Sequence, residues 1–316
     1  MLKHRLLMSA LLIPSVIGLF AWDHHLGDKA PILLMIVLVI AARCVWELVV
    51  LARTIGLQPN LYLTVTYAWT MIFLSWGVNS SSYSSIKTPH DQNDLGAGLF
   101  LWGVIAVLLL LNAVTRFPLK SSVDGLSNVN DPMSPPRMLG PQGRELATLS
   151  VELFIVVYVG VLLAVTLQLR WLHPPGYYWF GAMIIAAKMG DVGAYTFGRL
   201  IGGSKMVPKL SPGKTWAGGV GHLITAGLSS IAWLCWLGPM IFTLPFSDWS
   251  LARAAIFGIV VGFFGLIGDL AESLIKRDVG VKDAPALLPG FGGLLDLMDS
   301  ILLAGPVAYL MWHLLR

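Results

Sequence analysis

Apolar residues run along this chain in long blocks separated by short polar stretches, and the blocks define its elements. Those at roughly 6–22, 31–51, 61–78, 95–115, 147–169, 177–198, 217–242, 252–272 and 300–315 approach or exceed the ~20 residues that a helix needs to cross ~30 Å of hydrocarbon. They predict an all-α protein, a polytopic transmembrane helical bundle of about nine spans. Two parts are expected. Residues 1–175 hold about five spans and a polar segment at 116–146, which reads as a cytosolic loop because it is rich in Pro, Ser, Asn and Gly and lacks periodicity. Residues 176–316 hold about four spans and most of the charged residues that interrupt apolar blocks.

Those interruptions are patterned. Asp269, Glu272, Ser273, Lys276 and Arg277 stand at i, i+3, i+4, i+7 and i+8, which places them on one stripe of a helix with acids at one end and bases at the other. A Pro/Gly-rich turn follows, and Asp296 and Asp299 then lie three apart on the next helix. Two carboxylate-bearing helix ends are therefore expected to meet across that turn. In the block 177–198, Lys188, Asp191, Tyr195 and Arg199 form a second stripe. Charged groups within a span are costly, which makes them functional candidates. The competing reading is a Lys188–Asp191 pair that steadies the bundle. Arg43 and Glu47, at i and i+4, read as a pair that neutralises itself within its helix. His222, alone in an apolar block, reads as a helix-packing residue.

Composition agrees with the blocks. Of 316 residues, 56% are hydrophobic and 12% charged, with a mean hydropathy of +0.75, against ~25% charged in soluble domains. A soluble globule is excluded. The net charge of +4 and pI near 9.1 point to loop topology and not to nucleic acid. With Lys3 and Arg5 inside, alternate loops put fourteen basic residues on the cytosolic side and five opposite. The positive-inside rule then gives a cytosolic N-terminus and an external C-terminus. The basic N-terminus before an apolar run resembles a signal peptide, yet Phe20-Ala21-Trp22 is a poor cleavage site, and the run is read as a retained span. Cys44 and Cys235 both fall inside predicted spans, so no disulfide framework is expected. Gly213-Lys214-Thr215 ends like a P-loop, but Pro208 stands where that pattern requires glycine. What remains is a basic, Pro-stiffened loop beside a membrane surface.

The segment Gly268 to Ser300 closely resembles the signature of the CTP:phosphatidate cytidylyltransferases, the CDP-diacylglycerol synthases. The match runs through Gly268-Asp269-Leu270, Glu272-Ser273 and Lys276-Arg277, then Lys282-Asp283, then Pro289-Gly290, Gly292-Gly293, Asp296 and Asp299-Ser300. Asp191, Ala194-Tyr195 and Gly198-Arg199, and then Ser211 to Thr215, resemble two upstream motifs of the same family. The resemblance covers about residues 180–303. Three positions depart from it: Phe291 replaces the usual His, Leu297 the usual Arg, and Ala217 a frequent Glu or Gln.

The resemblance implies a multi-span enzyme of the bacterial cytoplasmic membrane and a homodimeric assembly. It implies CTP and bilayer phosphatidate as substrates and Mg²⁺ as cofactor, with a second cation allowed for. Asp269, Asp296 and Asp299 would be the metal ligands, since hard carboxylate oxygens suit Mg²⁺, with Asp283 a weaker candidate. Lys276, Arg277 and Lys282 would hold the triphosphate and the departing pyrophosphate. Lys214 and Arg199 would meet phosphate or the lipid head group. Asp191, Tyr195, Ser211, Glu272, Ser273 and Asp283 are further substrate contacts, and Gly292-Gly293 would let backbone approach phosphate. The implied reaction is attack of the lipid phosphate on the α-phosphorus of CTP. That nucleophile is already ionised near neutral pH, so the missing histidine at position 291 does not remove an essential base. Two other readings stand beside this one. An ion-coupled transporter would use Lys188 and Asp191 but predicts inverted repeats, which the halves of the chain do not show. A catalytically weak paralogue acting as a scaffold is motivated by Phe291, Leu297 and Ala217.

Overall fold

The computed structural model describes residues 22–23, 31–82, 141–172, 176–243, 249–282 and 292–315. Helix α1 (Pro31–Thr54) and α2 (Leu61–Ser82) are followed by α3 (Pro141–Ile155). That rod continues through a π-helical segment (Val156–Val161), α4 (Leu162–Leu167) and a 3-10 end (Gln168–Trp171). Next come α5 (Gly176–Leu200), a hairpin of β1 (Lys205–Val207) and β2 (Ser211–Thr215), and α6 (Trp216–Ile231). A second π-helical segment (Ala232–Leu237) leads from α6 into α7 (Gly238–Ile241). The last two are α8 (Leu251–Asp278) and α9 (Leu295–Leu315).

Among the described residues, five helical stretches are long and apolar enough to cross a bilayer: Pro31–Thr54, Glu145–Trp171, Trp216–Ile241, Leu251–Asp278 and Leu295–Leu315. They make this an integral membrane architecture. The expected count of about nine is not confirmed by these five. The blocks 61–78 and 177–198 do form helices; Leu61–Trp76 is the described apolar stretch of the first, and the second is not among the five. Lys188, Asp191 and Arg199 all lie on that second helix, α5. The blocks 6–22, save Trp22, and 95–115 lie outside the described residues. Of the predicted loop 116–146, the described part begins at Pro141 and is already helical, consistent with proline's fitness for a first helical turn.

The expectation of an all-helical chain needs one correction. The Pro-stiffened loop is a two-stranded antiparallel hairpin, with Lys205 opposite Thr215 and Val207 opposite Ser211. Pro212 sits in β2 next to Ser211, the partner of Val207, and each strand of a two-stranded sheet is an edge strand, the setting that tolerates proline. Thr215 ends the strand and begins the helix: its hydroxyl accepts the Gly218 N–H at 3.1 Å, capping α6. Ser250 caps α8 in the same way, accepting from the Arg253 N–H at 3.3 Å.

Helix α8 packs on α5, α6 and α9, α5 packs on α6 and α9, and α9 also contacts α4 and α1. The closest approach that matters here is α8 against α9. A Cβ built on Gly268 would lie 2.3 Å from the Asp299 carbonyl oxygen, so only glycine allows this backbone contact. The contact sets Asp269 and Glu272 beside Asp299. Because α5, α6, α8 and α9 alternate in direction, the end of α5, the hairpin, the start of α6, the end of α8 and the start of α9 share one end of the bundle.

Candidate active site

At that end, the acids and lysines of three helices and the hairpin converge. Carboxylate oxygens of Asp269, Glu272 and Asp299 all come within 4.8 Å of one another. Glu272 and Asp299 are buried, and Asp269 is half-buried. Each has a lysine. Lys214, at the end of β2, reaches Asp269 at 2.8 Å. Lys276 lies one turn beyond Glu272 and pairs with it at 3.0 Å while also holding Asp296 at 2.6 Å. Lys188 donates to Ser300 Oγ at 2.7 Å and lies 3.4 Å from Asp191 and 3.9 Å from Asp299. Asp191 in turn faces His222 Nδ1 at 3.7 Å, and His222 Nε2 meets the Gly262 carbonyl at 2.9 Å.

Five carboxylates, Asp191, Asp269, Glu272, Asp296 and Asp299, thus share three ammonium groups, Lys188, Lys214 and Lys276. With His222 neutral, the formal sum is two negative charges, which is what a divalent cation would balance. A second observation agrees: Glu272 Oε1 is buried without a hydrogen-bond partner, an arrangement that costs free energy unless something fills the gap. The donors are all hard oxygens, the kind that Mg²⁺ takes. The residues present therefore fit such an ion.

Asp296 occupies a different place from the one its spacing suggested. Its Oδ1 pairs with Lys276 and its Oδ2 accepts the Gly293 N–H at 2.8 Å. The tight trio contains Glu272 in its stead. Gly292 has φ +81°, and a Cβ there would lie 2.5 Å from Asp296 Oδ2. The close approach for which Gly292 is needed, among the described residues, is thus to the protein's own carboxylate.

A cavity of about 190 Å³ opens beside the acids. Asp191, Tyr195, Lys214, Thr215, His222 and Asp269 are among its walls. Of the remaining residues singled out in the sequence, Ser211 starts β2 and Ser273 is half-buried on α8. Arg199 is exposed and donates to the Tyr195 hydroxyl at 2.8 Å. Arg277 points to the hairpin, where its Nε donates to the Leu210 carbonyl at 3.3 Å. Lys282 is exposed just past α8. Asp283 and Phe291 lie outside the described residues.

Three residues make contacts beyond those their sequence pattern conveys. The helix pattern offers Lys188 as a functional candidate or as the pair of Asp191, and its reach across to α9 is a tertiary contact that neither reading shows. His222 is buried with Nε2 on the Gly262 carbonyl, as a packing residue would be, and it is also a wall of the cavity. Glu47 looked like the second half of an intrahelical pair with Arg43. That pair exists at 3.0 Å, but both Glu47 oxygens also accept backbone N–H groups, from Leu294 at 2.8 Å and Leu295 at 2.9 Å.

Fold and site together define a class: a helical membrane protein whose acids and lysines meet beside a cavity at one end of the bundle. Within that class the chain belongs to the cytidylyltransferase family, whose model matches residues 3–315, nearly its whole length. It is similar to the phosphatidate cytidylyltransferase of Haemophilus influenzae, 29% identical over 311 residues, 97% of this chain and 96% of that protein. Similarity to the phosphatidate cytidylyltransferase of Mycobacterium bovis is 36% identity over 177 residues, 55% of this chain and 53% of the relative. Escherichia coli YnbB, an uncharacterized protein, is 39% identical over 127 residues, 40% of each chain. The chain therefore spans about half or less of the length of these last two relatives.

Proposed function

We propose that the protein transfers the cytidylyl group of CTP to phosphatidate, giving CDP-diacylglycerol and pyrophosphate in a Mg²⁺-dependent reaction. The observation that carries this reading is the meeting of Asp269, Glu272 and Asp299 with Lys214, Lys276 and Lys188 beside a cavity, in a chain of the cytidylyltransferase family. Both substrates are phosphates, and transfer between them asks the protein mainly for positioning and charge neutralisation.

A lipid phosphate oxygen forms the new bond to the α-phosphorus of CTP, and the bond from that phosphorus to the bridging oxygen of the β-phosphate breaks. The electron pair leaves with pyrophosphate. Lys276 and Lys214 stand where ammonium groups can take up the negative charge of the triphosphate and of its leaving portion, exchanging their carboxylate partners for phosphate oxygens. Asp269, Glu272 and Asp299 would hold Mg²⁺, with Asp296 keeping Lys276 oriented. When bound, the ion supplies divalent charge next to phosphate oxygens. No side chain is required as base, because the attacking phosphate is already ionised.

The site faces the cytosol in this reading, where CTP is found, and the fourteen-to-five distribution of basic residues supports that orientation. A homodimer and placement in the bacterial inner membrane belong to the same proposal. Purified protein supplied with radiolabelled CTP, phosphatidate and Mg²⁺ should form labelled CDP-lipid and lose that activity on chelation. Absence of product with retained binding of either substrate would favour a scaffold over an enzyme.

A further inference from the structure

The start of α9 is held from outside its own half of the chain. Leu294 is the residue before the helix, and its carbonyl accepts the Met298 N–H at 3.1 Å. The N–H groups of Leu294 and Leu295 are among those that a helix start leaves without intrahelical partners. Both go to one carboxylate, Glu47 on α1, at 2.8 and 2.9 Å. The preceding N–H, of Gly293, goes to Asp296 at 2.8 Å. Three successive backbone donors are thus gathered by two carboxylates, one local and one 247 residues distant.

This arrangement is specific. Glu47 is fully buried, and a buried charge persists only with partners that compensate it. Arg43 supplies one at 3.0 Å, with its guanidinium 4.1 Å over the Trp46 ring. The positive end of the α9 dipole supplies another. A surface cap would serve stability alone. Here the capped turn carries Asp296 in its first turn and Asp299 directly after, and Asp299 belongs to the acid trio.

We propose that Glu47 is a positioning residue for the reaction: its carboxylate fixes the start of α9 and so sets Asp299 against Asp269 and Glu272, and Asp296 against Lys276. The first half of the chain is then part of the catalytic apparatus and not only its anchor. This rests on the proposed activity and on the acid trio as cation site.

The test uses the full-length protein in detergent, comparing Glu47→Gln and Glu47→Asp with the unsubstituted chain. Four quantities are read: kcat and KM for CTP, Mn²⁺ affinity by electron paramagnetic resonance, thermal midpoint, and amide exchange of the peptide spanning 292–300. Glu47→Gln retains one acceptor but turns an amide N–H₂ toward a backbone donor. It should lower kcat by roughly 10- to 100-fold with KM for CTP little changed, weaken Mn²⁺ binding several-fold and speed exchange at 292–300. Glu47→Asp keeps the charge on a shorter arm and should recover part of the loss. If the Gln variant does not fold, the Asp variant carries the test, with a smaller effect in the same direction. Unchanged kcat, Mn²⁺ affinity and exchange in a folded variant would overturn the proposal, as would equal losses in both variants that follow the thermal midpoint alone. If the unsubstituted chain makes no CDP-lipid, the activity reading fails by itself. Weaker Mn²⁺ binding and faster exchange in the variants would then still support positioning, and no change in either would overturn it.

Discussion

At the scale of single residues, the site divides carboxylates that face one another from one that serves a lysine. Asp269, Glu272 and Asp299 are close enough to share a cation, while both Asp296 oxygens are engaged by Lys276 and the Gly293 N–H. Glu272→Gln should therefore behave like Asp269→Asn and Asp299→Asn. Each should cut turnover by roughly 10²–10³-fold and raise the Mg²⁺ concentration needed for half-maximal rate, measured by titration at fixed CTP. Asp296→Asn should lower the rate with a smaller change in Mg²⁺ dependence, because an amide oxygen can still accept from Gly293. A Glu272→Gln enzyme with ordinary Mg²⁺ dependence would remove Glu272 from the cation set. Leu297 bears on a different question. It is 44% exposed in the first turn of α9, so an arginine there would not be forced into an apolar interior. Leu297→Arg should be folded, with kcat/KM equal to or above the parent. A gain of about 10-fold would match one charge-assisted contact to phosphate of about 1.5 kcal/mol.

At the scale of elements, the determining contact is α8 on α9. The glycine at 268 lets the Asp299 backbone come close enough for acids on two helices to meet. Gly268→Ala must push these helices apart or distort one of them, an overpacking that typically costs about 1–3 kcal/mol. The expected outcome is a lowered thermal midpoint together with a rate loss larger than unfolding at the assay temperature explains. Full activity in Gly268→Ala would mean that the spacing of α8 and α9 does not govern the chemistry. The hairpin is the second determining element. It delivers Lys214 to Asp269 and is tied to α8 through Arg277 and the Leu210 carbonyl. Arg277, which the sequence assigned to the triphosphate, is thus placed where it can hold a neighbouring element.

At the scale of the whole molecule, polar residues gather at two ends. The site occupies one. At the other, Asp23 accepts the Ile32 N–H at 2.7 Å at the start of α1 and also accepts the Tyr177 hydroxyl, while Arg170 lies 4.8 Å over the Tyr177 ring. Tyr177 starts α5, and Asp191 lies fourteen residues further along the same helix, so the two groups are separated along the bundle by about 21 Å at 1.5 Å per residue. If the site end faces the cytosol, a Gly280→Cys protein in sealed cells should resist a membrane-impermeant thiol reagent until the cells are opened. Gly280 is exposed just past α8 with φ +76°, so this Cys sits in an accessible but strained turn. The thermal midpoint must be checked alongside. Labelling from outside intact cells would reverse the orientation.

The sequence alone determined the membrane class, since apolar blocks of span length admit few other solutions, and it located the two helix ends whose acids meet. Periodicity sufficed because Asp269, Glu272 and Lys276 lie on one helix, where i+3 and i+4 steps are neighbours by geometry. Contacts between helices were not legible in this way. That Glu272 joins the trio in place of Asp296, that Lys188 reaches α9, and that Glu47 caps a helix 247 residues away all depend on which faces pack. Packing is set by side-chain shape and by close approaches such as Gly268 on Asp299, which no local pattern encodes. The hairpin was missed for a related reason: its strands are short and hold Pro212, and only pairing with each other makes them strands. The tertiary structure decided which charges meet, because a helix periodicity orients a residue around its own axis and leaves its partner on the next helix open.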